Sequence, residues 1–268
     1  MQKACILIAI LVNSICLSAQ SIKIPVGKKF QVVTDMKTVV SVSAMGQSID
    51  AETNNSNTAE YEISSVTDNG YSMRTTVSNV KSSNKIGGIE KNFDSDNESD
   101  RNDATFAEAA KLVGKPTEIT IENGVARITS GEIMAFLTQI GLKDNNPELV
   151  KFILYRKDLD ACKKGYQWID SIKNNEMDVV NESVVTGLTD TEVEIQIKSL
   201  MTIHTTIQQM GMEAKTSFHG VTNSRRWYNR NTGVLIKEEG DTDMAGDTEI
   251  MDQKIPMNMK MKSNTTVK

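Results

Sequence analysis

Much of this chain alternates apolar and polar residues at period two, and short turn signals interrupt the alternation. A strand puts every second residue on one face, whereas a helix puts every third or fourth there. The chain is thereby committed to antiparallel strands with one buried and one wet face. The clearest run is Val193, Ile195, Ile197, Met201, Ile203 and Ile207, interleaved with Glu194, Gln196, Lys198, Thr202 and His204. It resumes after Gln209-Met210-Gly211 as Met212, Ala214, Thr216 and Phe218. Pairing Gln208 with Gly211 sets Ile207 against Met212, Ile203 against Thr216 and Met201 against Phe218. That register keeps the apolar residues on one side.

An earlier hairpin has the same form. Phe30, Val32, Met36, Val40 and Val42 lead to Met45-Gly46, and Ile49 and Ala51 return. Tyr61, Ile63 and Val66 then reach Asp68-Asn69-Gly70, and Tyr71, Met73, Thr75 and Val77 depart. Val184 to Leu188, a turn at Thr189-Asp190 and the run from Glu192 form a counterpart. Two Met-Gly turns in comparable settings point to a duplicated sheet without the fixed period of a solenoid. Between Lys81 and Asp103 the sequence is polar, and it reads as a short edge strand and a mobile loop. The last part reads as a strand from Gly233 to Met244, a turn at Ala245-Gly246 and a long strand ending near Lys262.

The middle of the chain is different. Ile119, Ile121, Val125 and Ile128 flank Asn123-Gly124, a two-residue hairpin signal. Ser130 then caps a helix carrying Ile133, Phe136, Leu137 and Ile140, ended by Gly141. Asn146-Pro147 opens a second, with Leu149, Val150, Phe152, Ile153 and Leu154 on a broad apolar face. A third helix is expected around Ala104 to Val113. After the helices, Lys164-Gly165-Tyr166-Gln167-Trp168 enters a strand. The expected fold is mainly β: a large curved antiparallel sheet or open half-barrel. A helical insertion at about 130–158 supplies the two or three helices packed on its concave side.

The chain opens with Lys3, the apolar run from Ala4 to Val12, and Leu17-Ser18-Ala19-Gln20. A short basic start, an apolar core and a small residue before a polar one make a secretory signal peptide. Residues 1–19 are read as that peptide and 20–268 as a single β-rich domain, exported and soluble in the periplasm or outside the cell. Cys16 lacks the leucine-like and small residues before it that a lipoprotein signal uses. The apolar run is too short to span a bilayer, which takes roughly 20 residues, and no later segment is long enough. Of three cysteines only Cys162 lies beyond the leader, so no intramolecular disulfide is expected. With 30 basic against 35 acidic residues the chain carries no cationic surplus for nucleic acid or anionic membrane.

Candidate chemistry is sparse. Asp94, Asp96, Glu98 and Asp100 alternate as calcium ligands can, but an EF-hand loop needs glycine and glutamate where Ser99 and Thr105 stand. A solvated acidic loop fits better. Met251, Met257, Met259 and Met261 share a strand face, which suits a packed core, an adaptable ligand cavity or Cu(I). His204 and His219 fall on the polar face too far apart for one metal site. Arg225-Arg226-Trp227-Tyr228 with Arg230 suits a carboxylate, a phosphate headgroup or a sugar, or simply a strand with alternating faces. No nucleophile elbow, phosphate loop, zinc spacing or catalytic carboxylate pair is present, so no catalytic residue, metal or cofactor is assigned.

The Met-rich strands around Met-Gly turns, Val66-Thr67-Asp68-Asn69-Gly70-Tyr71, Gly114 before Ile119 to Val125, and Gly165 three residues before Trp168 form a motif order. This order resembles a family of exported bacterial envelope proteins of unknown function. At the level of fold it is also similar to periplasmic lipoprotein-carrier half-barrels. The resemblance implies no catalytic residues.

The expected function is non-enzymatic: binding a lipid or other apolar ligand between sheet and helices. Its walls are Met201, Ile203, Phe218, Met257, Met259, Met261, Phe136, Leu137, Phe152 and Ile153. Arg225 and Arg226 would meet a polar headgroup. The alternative is a packed structural or interaction module that docks another envelope protein.

Overall fold

A computed structural model describes residues 24–44, 47–103, 106–122, 125–130, 151–154, 163–173, 177–209, 212–250 and 252–268. Its first run of strands is β1 (Lys29–Ala44), β2 (Gln47–Thr67), β3 (Gly70–Ile86), β4 (Ile89–Asp94), β5 (Pro116–Glu122) and β6 (Val125–Ser130). Two short helices, α1 (Glu98–Arg101) and α2 (Ala107–Leu112), stand between β4 and β5. The second run is β7 (Gln167–Lys173), β8 (Met177–Leu188), β9 (Glu192–Gln209), β10 (Met212–Asn229), β11 (Leu235–Ile250) and β12 (Gln253–Val267).

All twelve strands join one antiparallel sheet in the order β6-β5-β3-β2-β1-β12-β11-β10-β9-β8-β7, with β4 beside β3. Each run is a meander, and the two meet where the first strand pairs with the last, from Val32↔Val267 to Val42↔Met257. Among the described residues β6 and β7 end the sheet without pairing to each other, so it is not closed into a barrel.

The β9–β10 hairpin is shifted from the expected register. Gln209 pairs with Met212, so Ile203 faces Phe218 and Met201 faces Gly220. The shift moves every partner by two residues, and the apolar side chains keep their face.

Three expectations are corrected. No turn forms at Ala245-Gly246. β11 runs through both residues, and the hairpin closes later, where Ile250 pairs with Gln253 and Asp252 takes φ 60°. In the polar stretch after Lys81 the expected short edge strand is present as β4, paired among the described residues only with β3. Residues 81–86, however, continue β3 to a Gly87-Gly88 turn, with Ile86↔Ile89 closing the hairpin, rather than forming a loop. Residues 151–154 are not helical: Lys151 and Phe152 lie in a turn, Ile153 bridges Val234, Leu154 N–H donates to Gly233 O, and Leu235 N–H donates to Phe152 O. The third helix is the shorter α2. The first expected helix, with Phe136 and Leu137, lies outside the described residues, as do the expected leader and Cys162.

The core occupies one face of the sheet in two clusters. The first gathers Val32, Ile63, Tyr71, Met73, Ile119, Ile121 and Ala126 from the N-terminal meander around Phe152, Ile153 and Val234. The second gathers Val185, Val193, Ile195, Ile197, Tyr228 and Leu235, with Leu154 and Trp168 packed against it. The segment 151–154 therefore joins the two halves. Phe152 meets Phe30 and Tyr61 edge-on at 5.4 and 4.9 Å between ring centroids. Burying a ring of this size is worth about 1.5–3 kcal/mol before entropy.

Candidate ligand-binding face

Beyond the two clusters the same face carries two apolar rows that cross seven strands. One row runs Met177, Ile203, Phe218, Gly246, Met257, Val42 and Ile49. The next runs Val179, Met201, Gly220, Met244, Met259, Val40 and Ala51. Met261 stands one step further, between Thr242 and Thr38. All six sheet residues expected to form a ligand wall thus share one face. Met244 and Val179 are buried, whereas Met201, Ile203, Phe218, Met257, Met259 and Met261 stay partly exposed.

Glycine spaces these rows. A Cβ on Gly220 would stand 2.7 Å from Met244 Cγ, so the Met244 side chain lies over that gap. Hydroxyls hold two thioethers: Thr222 Oγ1 donates to Met201 Sδ at 3.3 Å, and Thr248 Oγ1 to Met257 Sδ at 3.1 Å. No histidine stands in either row. His204 and His219 face Ser217 and Thr202 on the other side of the sheet.

Between rows and core lies a zone of small polar residues, bordered by a buried ionic group. Arg226 and Glu238 are directly opposed on β10 and β11, and Arg226 Nε donates to Glu238 Oε1 at 2.7 Å. Lys151 Nζ donates to Glu238 Oε2, and Tyr228 Oη donates to Lys151 O at 3.1 Å. Burial pushes the Glu238 carboxyl up, but Arg226 and Lys151 outweigh it and hold the group below the usual glutamate range. Burial pushes the Tyr228 phenol up. Arg226 is therefore tied into the link between the sheet and residues 151–154. Arg225 points to the opposite face, 3.4 Å from Glu194 and with its guanidinium carbon 5.7 Å from the Trp227 ring centre. The two arginines do not converge on one headgroup site.

Of the remaining expected wall, Phe152 and Ile153 are 3% and 2% exposed, inside the first cluster. Sequence reading missed Met244 and the Lys151–Glu238–Arg226 group. Core-facing positions on β11 read Glu238, Gly240, Thr242 and Met244, a run with too little apolar content to announce its phase.

The acidic stretch folds on itself. Asp94 pairs with Lys81 at 2.9 Å and accepts from Asp96 N–H, while Asp100 accepts from Asp94 N–H. The Asp94 carboxyl is held below the usual aspartate range, first by the Asp96 N–H and then by Lys81. Among the described residues no three His, Cys, Asp or Glu side chains converge as a metal site. No helix among them is long and apolar enough to cross a membrane.

No protein-family model and no curated protein matches the chain, so the family resemblance drawn from its motifs finds no support there. Among solved structures the chain is similar to lipovitellin, from work on lipid–protein interactions in lipovitellin. The TM-score is 0.54, with 9% identity over 91% of this chain and 25% of that one. An outer membrane channel from Pseudomonas putida F1 aligns over 91% of this chain and 97% of its own, with 8% identity and a TM-score of 0.25. The translocator domain of the autotransporter NalP from Neisseria meningitidis aligns over 91% and 89%, with 5% identity and a TM-score of 0.23. The lipovitellin likeness, at that identity and over a quarter of the lipovitellin chain, is one of fold alone.

Proposed function

We propose that this chain is a non-enzymatic, exported envelope protein that binds a lipid or other apolar ligand on the core face of its sheet. The observation that carries the reading is the pair of apolar rows through Met201, Ile203, Phe218, Met257 and Met259. They lie on the buried face yet stay partly exposed. Methionine suits such a surface because its unbranched, polarizable side chain adapts to irregular shapes. The fold shared with lipovitellin, a protein studied for its lipid interactions, supports a lipid partner. The opposite face carries ion pairs such as Lys37–Glu52, Lys260–Asp243 and Lys262–Asp241, which fits water better than acyl chains.

The second reading, docking to another envelope protein, draws on edge strand β7, where Ile169 is 71% exposed. Native mass spectrometry of the purified exported chain, with organic extraction of what co-purifies, separates the two. A stoichiometric apolar molecule is expected. A clean apo mass that stays unchanged when lipids are offered would move the assignment to the docking module.

A further inference from the structure

Two polar rows cross the sheet from β8 to β3, between the Met-bearing rows and the buried ionic group. The one beside the Met rows runs Asn181, Ser199, Thr222, Thr242, Thr38 and Thr53, with Met261 set between Thr242 and Thr38. The one beside the ionic group carries Ser183, Ser224, Ser263, Asn55 and Ser82, spaced by Ile197, Gly240 and Met36. Each row stands two residues from the next along every strand, so all share the core face. Neither polar row holds a charged side chain between β8 and β3. Asp170 and Lys91 stand at their margins, on β7 and β4.

Part of this zone is bonded within itself. The Thr222 and Thr242 hydroxyls lie 2.8 Å apart, Thr53 Oγ1 donates to Asn84 Oδ1 at 2.8 Å, and Ser199 Oγ donates to Asn181 Oδ1 at 2.7 Å. The rest is not. Among the described residues Thr38, Asn55, Ser183, Ser224 and Ser263 make no side-chain hydrogen bond, although Ser183 and Ser224 are only 5% and 6% exposed. Gly240 opens the space where two of them meet: a Cβ there would stand 2.8 Å from Ser263 Oγ and 3.8 Å from Ser224 Cβ. Ser263 and Asn55 flank Met36, and Thr38 lies one step from Met36 toward the Met rows; all three polar residues are partly exposed. An unpartnered hydroxyl covered by an apolar tail is destabilising, so these positions suit a ligand group that donates and accepts.

The charge of that group follows from where the ions are. The cations bordering the zone, Arg226 and Lys151, share Glu238. Arg226 lies about 20 Å along β10 from Gly220 in the Met rows, at about 3.3 Å per residue. An anionic head drawn there would drag its tail across both polar rows. A head that stays beside a tail on the Met rows meets uncharged hydroxyls and amides instead.

Resting on the ligand face proposed above, we infer that the polar zone binds the head of an uncharged, hydroxyl-bearing amphiphile of the monoacylglycerol kind, whose acyl tail lies on the Met rows. Calorimetry on the exported chain compares three ligands with one tail: 1-monodecanoylglycerol, methyl decanoate and decanoate. The methyl ester lacks the free glycerol hydroxyls and is the more apolar, so a purely apolar face would prefer it. The glycerol ester is expected to bind about tenfold or more tighter than either, a difference of about 1.4 kcal/mol. The Thr38→Val/Ser263→Ala double variant should abolish that preference, weakening the glycerol ester about tenfold and leaving the methyl ester unchanged. Neither hydroxyl has a partner among the described residues, so the variant should keep its fold, checked by circular dichroism. Methyl decanoate or decanoate bound as tightly as the glycerol ester, or a preference that the double variant retains, would overturn the inference and leave the Met rows as the ligand face. If none of the three binds, the ligand face falls with it.

Discussion

Phe218 lies directly across from Gly246, and its ring takes the space a side chain there would need. A Cβ on Gly246 would stand 2.9 Å from Phe218 Cδ1 and 1.9 Å from Ser217 O. The second contact is with backbone, which cannot turn aside. Gly246→Ala should therefore destabilise the fold by about 3 kcal/mol, at the upper end for overpacking. Gly240→Ala is the control, because its Cβ would meet the movable Ser263 Oγ at 2.8 Å and little else. It should cost less than about 1 kcal/mol, since alanine is the better strand residue. Urea unfolding followed by tryptophan fluorescence reads both, and equal midpoints would refute the packing argument.

The Lys151–Glu238–Arg226 group makes stability depend on acid. Glu238 is held below the usual glutamate range in the fold, so its contribution is fully present above the unfolded value of about 4.3. It is lost as pH falls through the folded value. Glu238→Gln should flatten the acid limb of the stability profile below about pH 5, where the unfolded carboxyl begins to bind its proton. It should also cost about 3 kcal/mol at neutral pH, because two largely buried cations lose their common anion. A variant whose profile keeps the native slope would show that other carboxylates set the limb.

Two buried tyrosines should answer oppositely to loss of a hydroxyl. Tyr228 Oη donates to Lys151 O, so Tyr228→Phe strands a carbonyl and should cost about 1–3 kcal/mol. Tyr71 Oη is buried near the Ile153 backbone without a hydrogen bond of normal geometry. Tyr71→Phe should be neutral or stabilising, since it removes a buried polar group that has no good partner. Thermal melts of the two variants decide this, and a matching loss at position 71 would reveal a hydrogen bond there.

The strands that were legible in the sequence are those whose alternation is apolar on one side. β9 and β10 show this, and their face was predictable even with the register off by two. Asn54-Asn55-Ser56-Asn57 was not legible as strand, because these residues are depleted in sheets and give no apolar phase. They are extended because β1 and β3 pair them on both sides. Gly246 resembled a turn because glycine marks both turns and close packing, and only Phe218 across the ladder tells them apart. Phe152 and Ile153 were correctly apolar but wrongly helical. Their partners, Gly233 to Leu235, are some 80 residues away, and local pattern carries no record of that pairing.

The apolar rows make a prediction that separates ligand binding from simple packing. Met259 sits between Met244 and Val40 and is partly exposed, while Lys260 points to the other face beside Asp243. Met259→Lys places an ammonium group in the proposed contact surface, where an apolar ligand gives it no hydrogen bond. Its four-carbon stem can still cover the neighbouring side chains while the charge reaches solvent, so the fold should survive with a modest loss. Affinity for a fluorescent acyl probe should fall about tenfold or more, while Met259→Leu and Lys260→Gln leave it near the native value. The outcome that sinks the ligand face is equal probe affinity in Met259→Lys and Lys260→Gln, since the two differ chiefly in which side of one strand they alter.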